Sequence, residues 1–206
     1  MAASERDEEA RAARRQAVAT RDPQRFVFVD ESGAHTAPTR LYGRAPHERR
    51  ASGSVPRTHG ENSTPVTALP PTGLREPWVI EGAMTTEAFE CYIRDELAPR
   101  PQPVRVVVRV VVRVVARDNL SAHKAAGIRR AIEARGGELL LLPPYSPDFT
   151  PIEQAFSKLK AIPRGLGART REALEEAIRP AVDAITPADA TAWFAHAGYS
   201  LPAQEN

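Results

Sequence analysis

The stretch 118–160 constrains the fold of this chain more than any other. It opens with DNLSAHK, whose Asp118 follows a valine-rich run, and it closes with LPPYSPDFTPIEQAFSKLK. In the closing segment Thr150 can cap a helix, Pro151 suits the first helical position, and Glu153 then falls in the first turn. That helix is expected from 151 or 152 to about 161, with Pro163, Gly165 and Gly167 breaking the chain after it. Between Asp118 and Glu153 lie 34 residues. They read as a helix over 121–135, capped by Ser121 and stopped by Gly136 and Gly137, followed by the apolar run 138–142, which fits a buried strand. One acid therefore leaves a strand and the other enters a helix.

The valine-rich run reads RVVV-RVVV-RVVA-R over 105–117. A repeat of four residues is not a helical amphipathic pattern, and β-branched valine favours a strand. Side chains alternate along a strand, so Arg105, Arg109, Arg113 and Arg117 share one face and Asp118 belongs to the other. The run is longer than a usual strand. Burying an unpaired guanidinium costs on the order of several kcal/mol, so about half of the run is expected to pair in a sheet, with the remaining arginines in water. The arginine row has two readings, a phosphate-contacting face and a passive surface.

Residues 1–24 are rich in Ala, Glu and Arg and read as a leader, flexible or forming a polar, exposed helix that ends at Pro23. The run 26–29 is a compact strand, and Asp30 and Glu31 follow at once. Two readings stay open there: an acid at a sheet rim, or a turn through Asp30, Glu31, Ser32 and Gly33. The arginine-rich segments 40–44 and 49–57 read as a hairpin, 64–69 as a strand weakened by Pro65, and 78–80 as another strand. An amphipathic helix is expected over 85–97, capped by Thr85 or Thr86, with Phe89, Ile93 and Leu97 on one stripe. Leu174, Ile178, Val182 and Ile185 mark a helix over 170–185 that Pro180 can kink. The last helix is 186–196, with Thr186 as cap, Pro187 first, and Trp193 and Phe194 as core residues. The order of elements is mixed α/β.

The 206 residues suffice for one domain, expected over 25–200 between the leader and a tail at 201–206. A net charge of +2 identifies no partner. Its distribution says more, because arginines cluster within 40–57 and 100–117, which suits nucleic acid as well as it suits a solvated surface. Cys91 is the single cysteine, so no intramolecular disulfide and no Cys/His zinc spacing is available, and a reducing compartment is favoured. The N-terminus carries no apolar signal segment, and Arg105, Arg109 and Arg113 interrupt the longest apolar stretch, 104–116. The expectation is a cytoplasmic protein with no membrane association.

Three acids, Asp30, Asp118 and Glu153, adjoin regular elements. Hard divalent cations such as Mg²⁺ and Mn²⁺ take oxygen ligands, and two such ions about 4 Å apart support in-line phosphoryl transfer. No Walker loop, dinucleotide fingerprint or nucleophile elbow competes with this reading. His35 and His123 each follow one of the aspartates by five residues and are either neighbours of the site or ordinary surface and packing residues.

DESGAH, YGRAP, GSVPR, DNLSAHK, LPPYSPDFTPIEQAFSKLK and WFAHAGY together resemble the catalytic domain of bacterial insertion-sequence transposases. These are mariner-like members of the DDE (Asp-Asp-Glu) endonucleases, and the resemblance runs from about Phe26 to Tyr199. It implies a ribonuclease H-like α/β fold: a mixed five-stranded sheet flanked by helices, with further C-terminal helices. It implies two divalent ions, Mg²⁺ or Mn²⁺, held by Asp30, Asp118 and Glu153 as the catalytic acids, with Asn119 and His123 as accessory positions. The implied activity is cleavage at transposon ends and strand transfer into target DNA. The implied partners are those DNAs and a second copy in a homodimer.

The chain departs from the family pattern at Thr150, where relatives tend to carry Asn, at the arginine-valine run, and at Pro163. It starts too late to hold the helix-turn-helix region of such relatives, so end recognition is expected to be absent or to lie on a separate helix-turn-helix polypeptide. Two functions follow. One is an active metal-dependent endonuclease and strand-transfer domain. The other is a truncated or decayed transposase fragment that binds DNA or a partner transposase without cutting.

Overall fold

Phe26–Glu31 forms β1, and the sheet is built outward from it. The computed structural model describes residues 7–35, 44–50, 52, 62–75, 77–97, 106–109, 120–134, 136–143, 146–166 and 170–201. β1 pairs antiparallel with β3 (Asn62–Leu69) on one side and parallel with β5 (Val106–Arg109) on the other. β4 (Trp78–Glu81) pairs antiparallel with β3, and β6 (Glu138–Leu141) pairs parallel with β5. β2 (Ala34–His35) follows β1 and pairs with the same strand, β3.

The sheet thus has six strands where five were expected, and Pro65 accounts for the extra one. Glu31 faces Val66 and Ala34 faces Ser63, so one register continues across the gap between β1 and β2. Inside the gap the Ser32 N–H donates to the Pro65 carbonyl at 2.9 Å. Proline has no N–H to return that bond, so the ladder lapses for two residues and then resumes. The first strand also runs past its expected end at 29. Asp30 and Glu31 sit in the ladder opposite Thr67 and Val66, not in a turn.

Alternation along β1 sends its side chains to two different cores. Val27 and Val29 join Val66, Ala68 and Leu139 under α2 (Thr86–Tyr92) and α3 (Leu120–Glu133), which contribute Phe89, Tyr92 and Ile128. Phe26 and Phe28 join Leu69 beneath α4 (Ile152–Leu166) and α6 (Pro187–His196). There the Phe28 ring meets Phe194 and Tyr199 edge-on, at centroid distances of 5.2 and 5.0 Å. α5 (Arg171–Asp183) lays Leu174, Ala177 and Ile178 against Val79.

Caps explain where most helices begin. The hydroxyls of Thr85 and Thr170 accept the Ala88 and Ala173 N–H groups, each at 3.2 Å. Thr186 and Asp189 cap each other's backbone in a capping box. α3 begins at Leu120, so Ser121 lies within its first turn and is not the cap expected of it. Its end is as expected: Gly136, at φ 71°, donates to Glu133, and Gly137 donates to Ile132, which closes a Schellman turn. α2 passes into a π-helical turn at Ile93–Leu97 instead of continuing as one α-helix over 85–97.

Several expectations need correction. α4 runs through Pro163 and Gly165 to Leu166 rather than ending near 161. The interior proline costs roughly 3 kcal/mol. Burial of Ile152, Phe156 and Leu159, worth roughly 1.5–3 kcal/mol each, outweighs it. β6 is an edge strand and only partly buried, with Leu139 inside and Leu141 43% exposed. Of the arginine-valine run, Val106–Arg109 lies in the sheet, and 110–119 falls outside the described residues. Of the hairpin expected over 40–57, residues 44–50 and 52 are described and hold a turn, with Arg49 N–H donating to the Pro46 carbonyl, but no strand. The other positions lie outside the described residues. α1 (Glu8–Ala19) is helical, but not the exposed helix expected, since Arg11 and Arg14 are buried. Among the described residues no helix is long and apolar enough to cross a membrane.

Phe194→Ala is expected to cost about 3–5 kcal/mol, because the ring fills the core between Phe28 and Tyr199; urea denaturation measures it. A second prediction concerns the tie between α4 and α6. Lys158 Nζ lies 2.8 Å from Asp189 Oδ2, and with the Thr186 bonds it holds the Asp189 carboxyl down from its ordinary 3.8 to about 2. As pH falls, the unfolded chain takes up this proton before the folded chain does, so the tie stabilises fully above about pH 4 and is lost as pH falls through about 2. The stability gap between wild type and Lys158→Ala should therefore be constant at pH 5–7 and close towards pH 2 in a pH series of denaturation curves.

Candidate active site

Asp30 is brought to its place by β1. Alternation puts it on the side of Phe26 and Phe28, the side covered by α4. It is 1% exposed, and its Oδ1 accepts the Glu31 N–H at 2.9 Å. Across the ladder stands Thr67, fully buried, whose hydroxyl donates to the Arg75 carbonyl at 2.7 Å. Burying a carboxylate costs on the order of several kcal/mol, which donors or cations must offset.

Glu153 lies in the first turn of α4 and is exposed. Its neighbour Ile152 is fully buried in the core that holds Phe28, which fixes the start of α4 over the same side of the sheet as Asp30. Asp118 and Asn119 lie outside the described residues, between Arg109 of β5 and Leu120 of α3. His123 is in α3 and His35 in β2, and their side chains too lie outside what is described. Two of the three acids are thus placed on one side of the sheet. Among the described residues, no three His, Cys, Asp or Glu side chains gather as a metal site. The donors that are placed, a buried aspartate and a solvent-facing glutamate, are oxygen ligands of the kind a hard divalent cation takes.

The loop before Glu153 is built differently from its sequence-based reading. Thr150 is fully buried, but its hydroxyl finds no hydrogen-bond partner and does not cap α4. The loop instead forms a 3₁₀ turn, Pro147–Phe149, in which Phe149 N–H donates to Ser146 and Thr150 N–H to Pro147, each at 3.1 Å. Two distant side chains hold this turn. Tyr199 Oη donates to the Phe149 carbonyl at 2.9 Å, and burial raises the Tyr199 pKa above the usual phenol value. From α1, Arg11 donates to Ser146 Oγ at 2.7 Å and to both carboxylate oxygens of Asp148 at 3.1 and 2.5 Å. Its guanidinium also lies 4.2 Å from the centre of the Phe149 ring. The hydrogen bond to Asp148 raises the Arg11 pKa further. Past the end of α1, Arg21 forms an ion pair with Glu138 of β6, which lowers the Glu138 pKa.

Sequence reasoning missed Arg11, Asp148 and Tyr199. The available signal was the spacing of Arg11, Arg14 and Arg15, which puts three cations on one side of a helix whose apolar residues are alanines and a single valine.

Residues 25–175 match the family model described as DDE superfamily endonuclease. No curated protein sequence matches the chain. Among solved structures, the Mos1 strand transfer complex aligns with a TM-score of 0.64 at 16% identity, covering 97% of this chain and 61% of that one. The Mos1 mariner paired end complex with Mn aligns at 0.60 and 16%, covering 97% and 62%. The Mos1 transposase catalytic domain with raltegravir and Mg aligns at 0.60 and 14%, covering 97% and 92%. The fold is therefore shared with the Mos1 catalytic domain, while this chain spans less than two thirds of the longer Mos1 chains.

Removing the hydroxyl in Tyr199→Phe deprives the Phe149 carbonyl of a donor in a half-buried position. The expected loss is about 0.5–1.5 kcal/mol, measured by urea denaturation.

Proposed function

This chain belongs to the DDE superfamily of endonucleases, and from that premise we propose that it is the ribonuclease H-like catalytic domain of an insertion-sequence transposase, which cuts DNA and transfers the cut strand. The observation that carries the reading is the placement of Asp30: a carboxylate buried at the end of the central strand, on the side of the sheet where α4 starts with Glu153.

In this reading Asp30, Asp118 and Glu153 hold two divalent cations, Mg²⁺ or Mn²⁺. When bound, the cations supply charge stabilisation to the attacking and leaving oxygens of a phosphodiester. The residues of the chain do the rest. Asp30 is rigid, because its backbone is fixed by β3 on one side and its position in the ladder is set by the packing of Phe28 and Val29. Glu153 is exposed, so it can approach both a cation and the DNA at the rim. The substrate class is double-stranded DNA at transposon ends and at a target, and the working form is a dimer, as the paired-end assemblies of the Mos1 relatives suggest. Asn119 and His123 are assigned to the same rim.

The second reading is a decayed fragment that binds DNA or a partner without cutting. The arginine-valine run favours it, since it separates the paired residues of β5 from Asp118.

Nicking of supercoiled DNA in Mn²⁺ separates the two. The folded wild type should nick, while Asp30→Asn, Asp118→Ala and Glu153→Gln should each lower the rate by at least about 10³-fold with DNA binding retained. A folded wild type that binds DNA but never nicks would establish the fragment reading.

A further inference from the structure

We propose that α1 belongs to the catalytic apparatus, with Arg11 as a positioning residue that sets the start of α4 and therefore the place of Glu153. This rests on the assignment of Glu153 as the third acid.

Four contacts converge on one short turn. Arg11 makes a two-pronged bond to Asp148 and a third bond to Ser146, and its guanidinium lies over the Phe149 ring. Ser146 and Asp148 lie seven and five residues before Glu153. Arg11 is 2% exposed and Ser146 is 5% exposed, so the bond between them is made out of water, while Asp148 meets the buried guanidinium with a carboxylate that is half exposed. An exposed surface pair would position nothing, because it contributes little and exchanges freely.

The turn needs an outside hold. The expected cap of α4 fails, since the Thr150 hydroxyl has no partner. What defines the start of α4 is the 3₁₀ turn, and that turn is held from one side by Arg11 and from the other by the Tyr199 hydroxyl on Phe149. The guanidinium fork fixes both the angle and the distance of Asp148, which a lysine ammonium would not. Three residues past Phe149 the chain enters α4, whose buried Ile152 prevents it from rotating. A shift of the turn therefore passes to Glu153, the first charged side chain after it.

The full chain tests this with two readouts that do not depend on cleavage: Mn²⁺ affinity from water-proton relaxation, and amide hydrogen exchange of the peptide spanning 146–156. Arg11→Gln should weaken Mn²⁺ binding about 10-fold or more, the range typical of residues that orient metal ligands. It should also speed exchange in 146–153 while leaving exchange in β1 and β3 unchanged. Arg11→Lys should fall between Arg11→Gln and wild type. Asp148→Asn should match Arg11→Gln, and the double variant should add little to either. Mn²⁺ binding by Arg11→Gln equal to wild type would overturn the proposal, as would faster exchange spread evenly through the sheet. If the wild type itself binds no Mn²⁺, the metal-site reading fails together with the role of Arg11. That outcome differs from failure of the clamp alone, in which wild type and variant bind equally.

Discussion

The alternation of side chains along β1 is the constraint on which the rest of the molecule depends. Phe26, Phe28 and Asp30 go one way, Val27 and Val29 the other. The aromatic side needs bulky cover and receives α4, α6 and Tyr199, while the valine side takes α2 and α3. Asp30 is therefore buried as a consequence of the packing of its neighbours. A slip of one residue would put the phenylalanines against the wrong helices and the carboxylate on the wrong side. Hydrophobic packing and the position of the acid are set by the same few residues.

The acid on α4 is positioned by other means. A helix start is usually specified locally, by a cap within a residue or two. At Thr85, Thr170 and Thr186 that is the case. At α4 the local device is absent, and residues from the two ends of the described chain, Arg11 and Tyr199, meet on the loop instead. The two acids thus rest on different foundations: a β-ladder for Asp30 and long-range side-chain bonds for Glu153.

This difference explains what could be read from the sequence. Local signals gave true results: the threonine caps at Thr85 and Thr186, the glycine pair that closes α3, the stripe of Leu174 and Ile178, and Phe194 as core. The family resemblance rested on motifs around Asp30, Asp118 and Glu153, and the family match bears out the DDE endonuclease superfamily. Signals that needed partners elsewhere failed. Asp30 and Glu31 have turn chemistry but are captured by β3. Thr150 has cap chemistry but is buried without a bond. Pro163 should stop a helix, but the buried face of α4 carries it through. The leader looked solvated because the acid that binds Arg11 is 137 residues away.

The pairing of β5 has one more consequence, which is a matter of counting. Val106–Arg109 stands against Phe26–Val29, and Asp118 follows Arg109 by nine residues. The same pattern, three small apolar residues and an arginine, recurs at 110–113 and 114–117. A slip of four or eight residues is even, so it returns every side chain to its own face and exchanges like for like. Hydrophobic packing, which rules out a one-residue slip, barely distinguishes these three settings. The repeat thus leaves the setting of this strand to contacts other than the alternation of its side chains.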